Sequence, residues 1–141
     1  MATVAQANTV KAVKAKSSGK KKISASITEK GVVYVTATFN DTLVTITNNS
    51  GQTISWSSSG AKGFKGTRKS TPYAATLAVE TAVKKAVDRG MKTADIIIKG
   101  PGSGRDSSLR AIKAGGLSIT SISDRTPIPH NGPRAKKKRR M

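Results

Sequence analysis

Neither end of this chain can fold on its own, and that confines any compact structure to the middle. Residues 1–22 carry six lysines and no acid. No carboxylate side chain follows Asp124, while Arg134, Lys136, Lys137, Lys138, Arg139 and Arg140 crowd the C-terminus. Segments with high net charge and no apolar face cannot bury enough surface to offset the entropy of ordering. The expected organisation is a basic N-terminal extension over 1–22, one folded domain over 23–125, and a proline-rich neck with a basic tail over 126–141. In the neck, Pro127 and Pro129 fix their own φ and hold the preceding residues extended. The tail should therefore leave the domain in a set direction.

The same charge narrows the function. Lys and Arg number 26 among 141 residues, Asp and Glu only 7, for a net charge of +19. A surface of this sign repels itself unless a polyanion compensates it. A basic body with basic ends is the footprint of a nucleic-acid binder. There is no cysteine and a single histidine, His130. Disulfides and cysteine-based metal sites are thus excluded, and one histidine cannot form a metal cluster. No apolar run approaches the ~18 residues of a membrane span, and residues 1–22 lack the apolar segment of a secretory signal. That segment shares its acid-poor character with transit peptides, but lysine stands where arginine is usual. A cytoplasmic protein is expected, with no membrane, cofactor or small-molecule substrate.

Within the domain, order is expected from Ile23. Residues 31–39 (GVVYVTATF) alternate, placing Val33, Val35, Ala37 and Phe39 on one face. Asn40-Asp41 is a turn signal, and 42–47 (TLVTIT) alternates again, so the two runs read as a hairpin. A second turn at 48–51 leads to a third strand over 52–58, with Ile54 and Trp56 on one face. Trp56, the single tryptophan, is expected as a core or core-edge anchor, with base stacking as the alternative. A helix opens at Thr71-Pro72, with Thr71 or Ser70 as N-cap and proline at the first helical position, and stops at Arg89-Gly90. Residues 93–99 (TADIIIK) form a fourth strand whose three isoleucines suit burial on both faces. A short helix over 106–114 and a fifth strand over 117–122 complete a mixed α/β fold: one five-stranded sheet flanked by two helices.

Two stretches carry the chemistry. The first is 59–70 (SGAKGFKGTRKS), a long loop with Lys62, Lys65, Arg68 and Lys69 and no acid. Loops of this length in compact domains are usually functional. Phe64 either stacks on a base or tucks into the core. The second is the strand-to-helix turn KGPGSGR, 99–105, where backbone N–H groups could meet a phosphate. It lacks the Gly-Lys-Ser/Thr of a nucleotide-triphosphate loop, and Gly100, Gly102 and Gly104 give GxGxG rather than GxGxxG. Asp124 follows Gly104 by twenty residues, the spacing of a ribose-binding acid, but the chain has no second half to hold a dinucleotide. A polynucleotide phosphate on the turn, steadied by Lys99, Arg105 and Arg110, fits the charge; the alternative is a tight turn only. The seven acids are scattered. Asp41 and Asp124 near strand ends could approach one another, but no cluster for two-metal chemistry assembles. His130 has no orienting acid, so it reads as an RNA-contacting or packing residue rather than a base. Asn131-Gly132 offers a succinimide route to an isoaspartyl linkage, because glycine does not shield the asparagine from the following amide; a simple turn is the alternative.

Four strings together resemble one family: TATFNDTLVTITNNSG, GFKGTRKSTPYAA, IIIKGPGSGR and DRTPIPHNGPR with its basic end. They are similar to the bacterial small-subunit ribosomal protein family numbered eleven, from about Ile23 to Arg140. The resemblance implies a ribonuclease-H-like topology without the catalytic carboxylates, and no enzymatic activity. It implies a structural role in the small (30S) subunit, on its platform, bound to 16S rRNA in the central domain. The messenger exit path near the Shine–Dalgarno duplex would be close by, with small-subunit proteins six, eighteen, seven and twenty-one as neighbours. Lys62, Lys65, Arg68, Lys69, Arg105, Arg110 and residues 127–140 match the family's RNA-facing motifs, and its Asn-Gly is a suspected isoaspartyl site. The sequence departs from many members at Pro133, where they carry cysteine, and at Ser55, where glycine precedes the tryptophan.

Overall fold

The first strand among the described residues becomes the middle of the sheet. In the computed structural model, which describes residues 29–134, 136 and 137, β1 (Lys30–Ala37) pairs antiparallel with β2 (Thr42–Asn48) and parallel with β4 (Thr93–Lys99). β2 continues antiparallel to β3 (Thr53–Ser58), and β4 continues parallel to β5 (Ser118–Asp124). The strand order is β3-β2-β1-β4-β5. Between β3 and β4 lie two 3₁₀ turns, Gly60–Lys62 and Gly66–Ser70, and then α1 (Pro72–Val87); α2 (Gly104–Ala114) joins β4 to β5. This is the mixed five-stranded, two-helix fold expected. The extension 1–22, the start of order expected at Ile23, and Lys138, Arg139 and Arg140 lie outside the described residues.

Each element follows from local chemistry. The 38–41 turn closes on Thr38, whose hydroxyl oxygen accepts from the N–H groups of Asn40 and Asp41. The 48–52 turn closes on Asn48, whose Oδ1 accepts from the Gln52 N–H at 2.8 Å. Thr71 caps α1, accepting from the Ala74 N–H, with Pro72 behind it. Gly90, at φ 93°, lets the chain turn back after α1.

One core holds the layers together. Val33, Val35, Val44, Ile46, Ala94, Ile96 and Ile98 rise from the sheet to meet Val79, Ala82, Val83 and Ala86 of α1 and Ala111 and Ile112 of α2. Alanines on the buried face of α1 let the helix approach the strands closely. Both helices lie on this face, and the other face stays uncovered, with Tyr34 and Leu43 exposed on it.

Three expectations fail here, each for a reason of geometry. Phe39 is not on the core face with Val35 and Ala37. β1 ends at Ala37, and the turn swings Phe39 out to 74% exposure. Ile97 is not buried on both sides; it is half-buried on the uncovered face while Ile96 and Ile98 fill the core. Trp56 is not a core anchor: it is 63% exposed. In the β2–β3 ladder Ser55 opposes Ile46 but Thr53 opposes Thr47, so Ile54 is an extra residue. Such a bulge shifts the alternation by one. Ile54 and Ser55 are consecutively buried, Ser55 donates to the Ala82 carbonyl at 2.8 Å, and Trp56 turns outward.

Candidate nucleic-acid interface

Strand pairing gathers the charged loops at one rim of the sheet. Ala37 pairs with Thr42, Leu43 with Ser58, Thr36 with Lys99 and Ile98 with Asp124. The ends of β1, β3, β4 and β5 and the start of β2 therefore lie side by side. From this rim spring the 38–41 turn, the 59–70 loop, the 99–104 turn and the neck, and both helices begin here. The segments are tied to each other. Ser59 N–H donates to the Thr42 carbonyl at 3.1 Å, and Gly102 N–H to the Ala37 carbonyl at 2.9 Å. The Ser103 hydroxyl donates to the Ser70 carbonyl at 2.6 Å, joining the two loops singled out by sequence.

The neck is latched where it leaves β5. Arg125 N–H extends the ladder to the Ile98 carbonyl at 2.8 Å. The Thr126 N–H and hydroxyl both donate to the Asp124 carboxylate, at 2.9 and 2.6 Å, and the Arg105 guanidinium pairs with the same carboxylate. Arg105 also reaches the Gly100 carbonyl at 2.7 Å and the Thr126 hydroxyl at 3.1 Å. The Thr126 hydroxyl in turn accepts from the Gly100 N–H. The Thr126 hydrogen bonds foremost, and Arg105 after them, hold the Asp124 carboxyl down to about 2 from its ordinary 3.8. Charge-assisted hydrogen bonds to the ionised form have this effect.

The rim is strongly and openly basic. Its segments carry Lys62, Lys65, Arg68, Lys69, Lys99, Arg105, Arg125, Arg134, Lys136 and Lys137 against Asp41, Asp106 and Asp124. Among the described residues the ion pairs are Lys30–Asp95, Lys92–Glu29 and Arg105–Asp124, so nine of those ten cations make none. Lys62, Lys65, Arg68, Lys99, Arg134, Lys136 and Lys137 are exposed, and so is Arg110 along α2. His130 and Asn131 are exposed in the neck, with Asn131 at φ 55°.

Other expected site residues sit differently. Gly102 and Gly104 are buried. The Gly102 N–H is taken by Ala37, and a Cβ on either glycine would collide with Thr38 or Thr42. Gly100 holds φ 97° against the Ala37 carbonyl. The three glycines thus let the turn lie on the end of β1, and the exposed cations beside it face outward. Phe64 is half-buried and meets Tyr73 edge-to-face, with ring centroids 6.1 Å apart. Sequence reasoning passed over Tyr73 (66% exposed), Phe39 and Arg125, which place two rings and a cation on the same rim. Arg125 could have been found, because the strand that ends at Asp124 must deliver its successor there. Asp41 and Asp124 do not meet: β1 and β4 lie between their strands, roughly 14 Å of sheet.

The sequence matches the model of the family described as Ribosomal protein S11 over residues 31–140. It is similar to the small ribosomal subunit protein uS11c of Mesostigma viride, with 62% identity over 112 residues, covering 79% of this chain and 86% of that protein. The match takes in the sheet, both helices, the 59–70 loop, the glycine turn and the neck, and the chain accordingly belongs to the ribosomal protein S11 family, whose members are structural ribosomal proteins and not enzymes.

Proposed function

We propose that this protein, a structural component of the small ribosomal subunit, grips 16S rRNA with the basic rim. The carrying observation is the convergence of the 59–70 loop, the 99–104 turn, the start of α2 and the root of the neck on one side of the sheet, bringing Lys62, Lys65, Arg68, Lys69, Lys99, Arg105 and Arg125 to one rim. Lys62, Lys65, Arg68 and Lys69 contact phosphates from the 59–70 loop, and Lys99, Arg105 and Arg110 from around the glycine turn. His130, Asn131, Arg134, Lys136 and Lys137 extend the contact along the neck, and Lys138, Arg139 and Arg140 carry it to the end of the chain. Phe64 supports Tyr73, which presents an open ring to a base. Phosphate contacts of this kind position RNA helices, and specificity comes from RNA shape.

The finer assignment follows the family resemblance. On our reading the protein sits on the platform, in the central domain of 16S rRNA, beside the messenger exit path near the Shine–Dalgarno duplex. Proteins six, eighteen, seven and twenty-one of the small subunit are its neighbours, and its ribosome is the cytoplasmic one. Asn131, exposed and followed by Gly132, is the site of an isoaspartyl linkage. Peptide mapping of aged protein will show the mass of deamidation at that residue; an unmodified asparagine refutes the modification.

The rim reading is tested by titrating the full chain with a central-domain fragment of 16S rRNA across salt. With ~8 phosphates neutralised, log K falls with log salt at a slope of about −6 to −7. A slope near zero, or failure to co-sediment with small subunits, overturns the reading.

A further inference from the structure

The two edges of the sheet differ. β3, at one edge, has its Ile54 carbonyl taken by the Arg89 guanidinium. β5, at the other, is bare: its sequence SITSISD holds no lysine, arginine or proline, the residues that commonly blunt a free edge. Its one irregularity is an extra residue, Thr120. The Ser118 N–H donates to the Lys92 carbonyl and the Arg125 N–H to the Ile98 carbonyl, so these two residues face β4. Alternation from each of them turns the backbone N–H and carbonyl of Ile119 and Ile122 away from β4. Among the described residues no loop bonds to either. Beside this edge runs an apolar groove of about 650 Å³ between β5 and α2, lined by Leu109, Leu117, Ile119 and Ile122. Ile119 lies beside Ala94 and Ile122 beside Ile96, so both side chains point to the α2 side, where Ile122 stays 55% exposed. Arg110 and Lys113 border the groove one turn apart, exposed and without an ion pair among the described residues, and no carboxylate lines it.

We propose that the β5 edge and this groove take an extended segment of another small-subunit protein, which adds a strand to the sheet. Its backbone bonds to Ile122 and, past the extra residue, to Ile119. Alternate apolar side chains fill the groove, and a carboxylate meets Lys113, at the end of α2 away from the rim. Strand addition of this kind draws affinity from main-chain bonds and specificity from a pocket at every second residue, and the edge and the groove supply both. RNA suits the site poorly, because four aliphatic side chains offer no ring to stack on. A second copy suits it poorly too, because two chains of +19 would meet with Arg110 and Lys113 on both sides. The proposal rests on membership of the small subunit and not on the rim as the RNA grip.

Hydrogen exchange at the Ile122 amide tests this in three samples: the full chain alone at high concentration, the full chain on the central-domain 16S fragment, and reconstituted small subunits. The amide is expected to exchange freely in the first two and about tenfold or more slowly in the third. Ile122→Pro removes the outward N–H, which an edge strand tolerates because the ladder to β4 does not use it. Subunits reconstituted with this variant should hold about tenfold less of one other protein at limiting supply, measured by quantitative mass spectrometry, while affinity for the 16S fragment is unchanged. Lys113→Glu, which leaves the strand intact, should produce a deficit in the same protein. Protection on the RNA fragment alone, or in the free chain, overturns the proposal in favour of RNA, or of another part or copy of this chain. An unprotected Ile122 amide in the subunit, or full loading of every other protein by both variants, also overturns it. Loss of fragment binding by the parent overturns the rim reading alone.

Discussion

Asp124 is the residue on which the departure of the tail depends. It is the last acid of the chain, and it is bound by Thr126 two residues on and by Arg105 from the start of α2. Its folded pKa of about 2 lies below the ordinary 3.8. A depressed carboxyl stabilises the fold above the unfolded value, and the contribution is lost as pH falls through the folded one. Asp124→Asn should therefore melt below the parent at pH 7, with the gap narrowing from about pH 4 and closing near pH 2. Glu29, held low by Lys92, and Asp95, held low by Ser121 and then Lys30, titrate in the same direction. They are common to both proteins, so the difference between the melts isolates Asp124. A gap independent of pH would show that the carboxylate charge is not what latches the neck.

Among the elements, the glycine turn and the start of α2 show two effects in opposition. Alanine is favoured over glycine in a helix interior by about 1 kcal/mol. Gly104 opens α2, where that gain is smaller, and a Cβ there would drive into the Thr42 hydroxyl and the Ala75 methyl. Overpacking costs about 1–3 kcal/mol, so Gly104→Ala should lose roughly 1–2 kcal/mol in urea denaturation. A stabilised variant would show that β2 and α1 yield to the added methyl. The elements themselves were largely legible. Alternation at Val33, Val35 and Ala37, and the Thr71-Pro72 cap, are local signals that tertiary structure did not override. What sequence could not give was register. The bulge at Ile54 is set by the partner strand, so the outward turn of Trp56 was invisible in the string SWSS. The strand end at Ala37 likewise moved Phe39 out of the core. The charged motifs of the interface could be read one by one, but their meeting at one rim depends on which strands pair. The commitment of Arg105 to Asp124, nineteen residues away in sequence, depends on it too.

At the scale of the whole molecule, the two basic ends are not equivalent. The C-terminal neck is latched to the sheet by Arg125, Thr126 and Asp124 and leaves from the rim where the other cations collect. Glu29 lies at the opposite end of β1, its carbonyl accepting from the Lys92 and Thr93 N–H groups. Deleting 127–141 should impair small-subunit assembly more than deleting 1–22, measured as incorporation of each truncated protein into reconstituted particles. Equal or reversed effects would mean that the direction of exit does not matter.

Folding itself creates an electrostatic problem on this molecule. In the unfolded chain the cations of the 59–70 loop, the glycine turn and the neck are dispersed; the native strand order brings them together, and α1 and α2 add the positive ends of their dipoles at the same place. The native state therefore carries the more concentrated positive field, and a polyanion that reads this field binds the folded form more tightly than the unfolded one. Linkage then makes the ligand a stabiliser: at a free concentration of 100 times its Kd it adds up to about 2.7 kcal/mol, less whatever binding the unfolded chain retains. If the rim grips RNA as proposed, like charge that strains the isolated protein helps to keep it folded once bound.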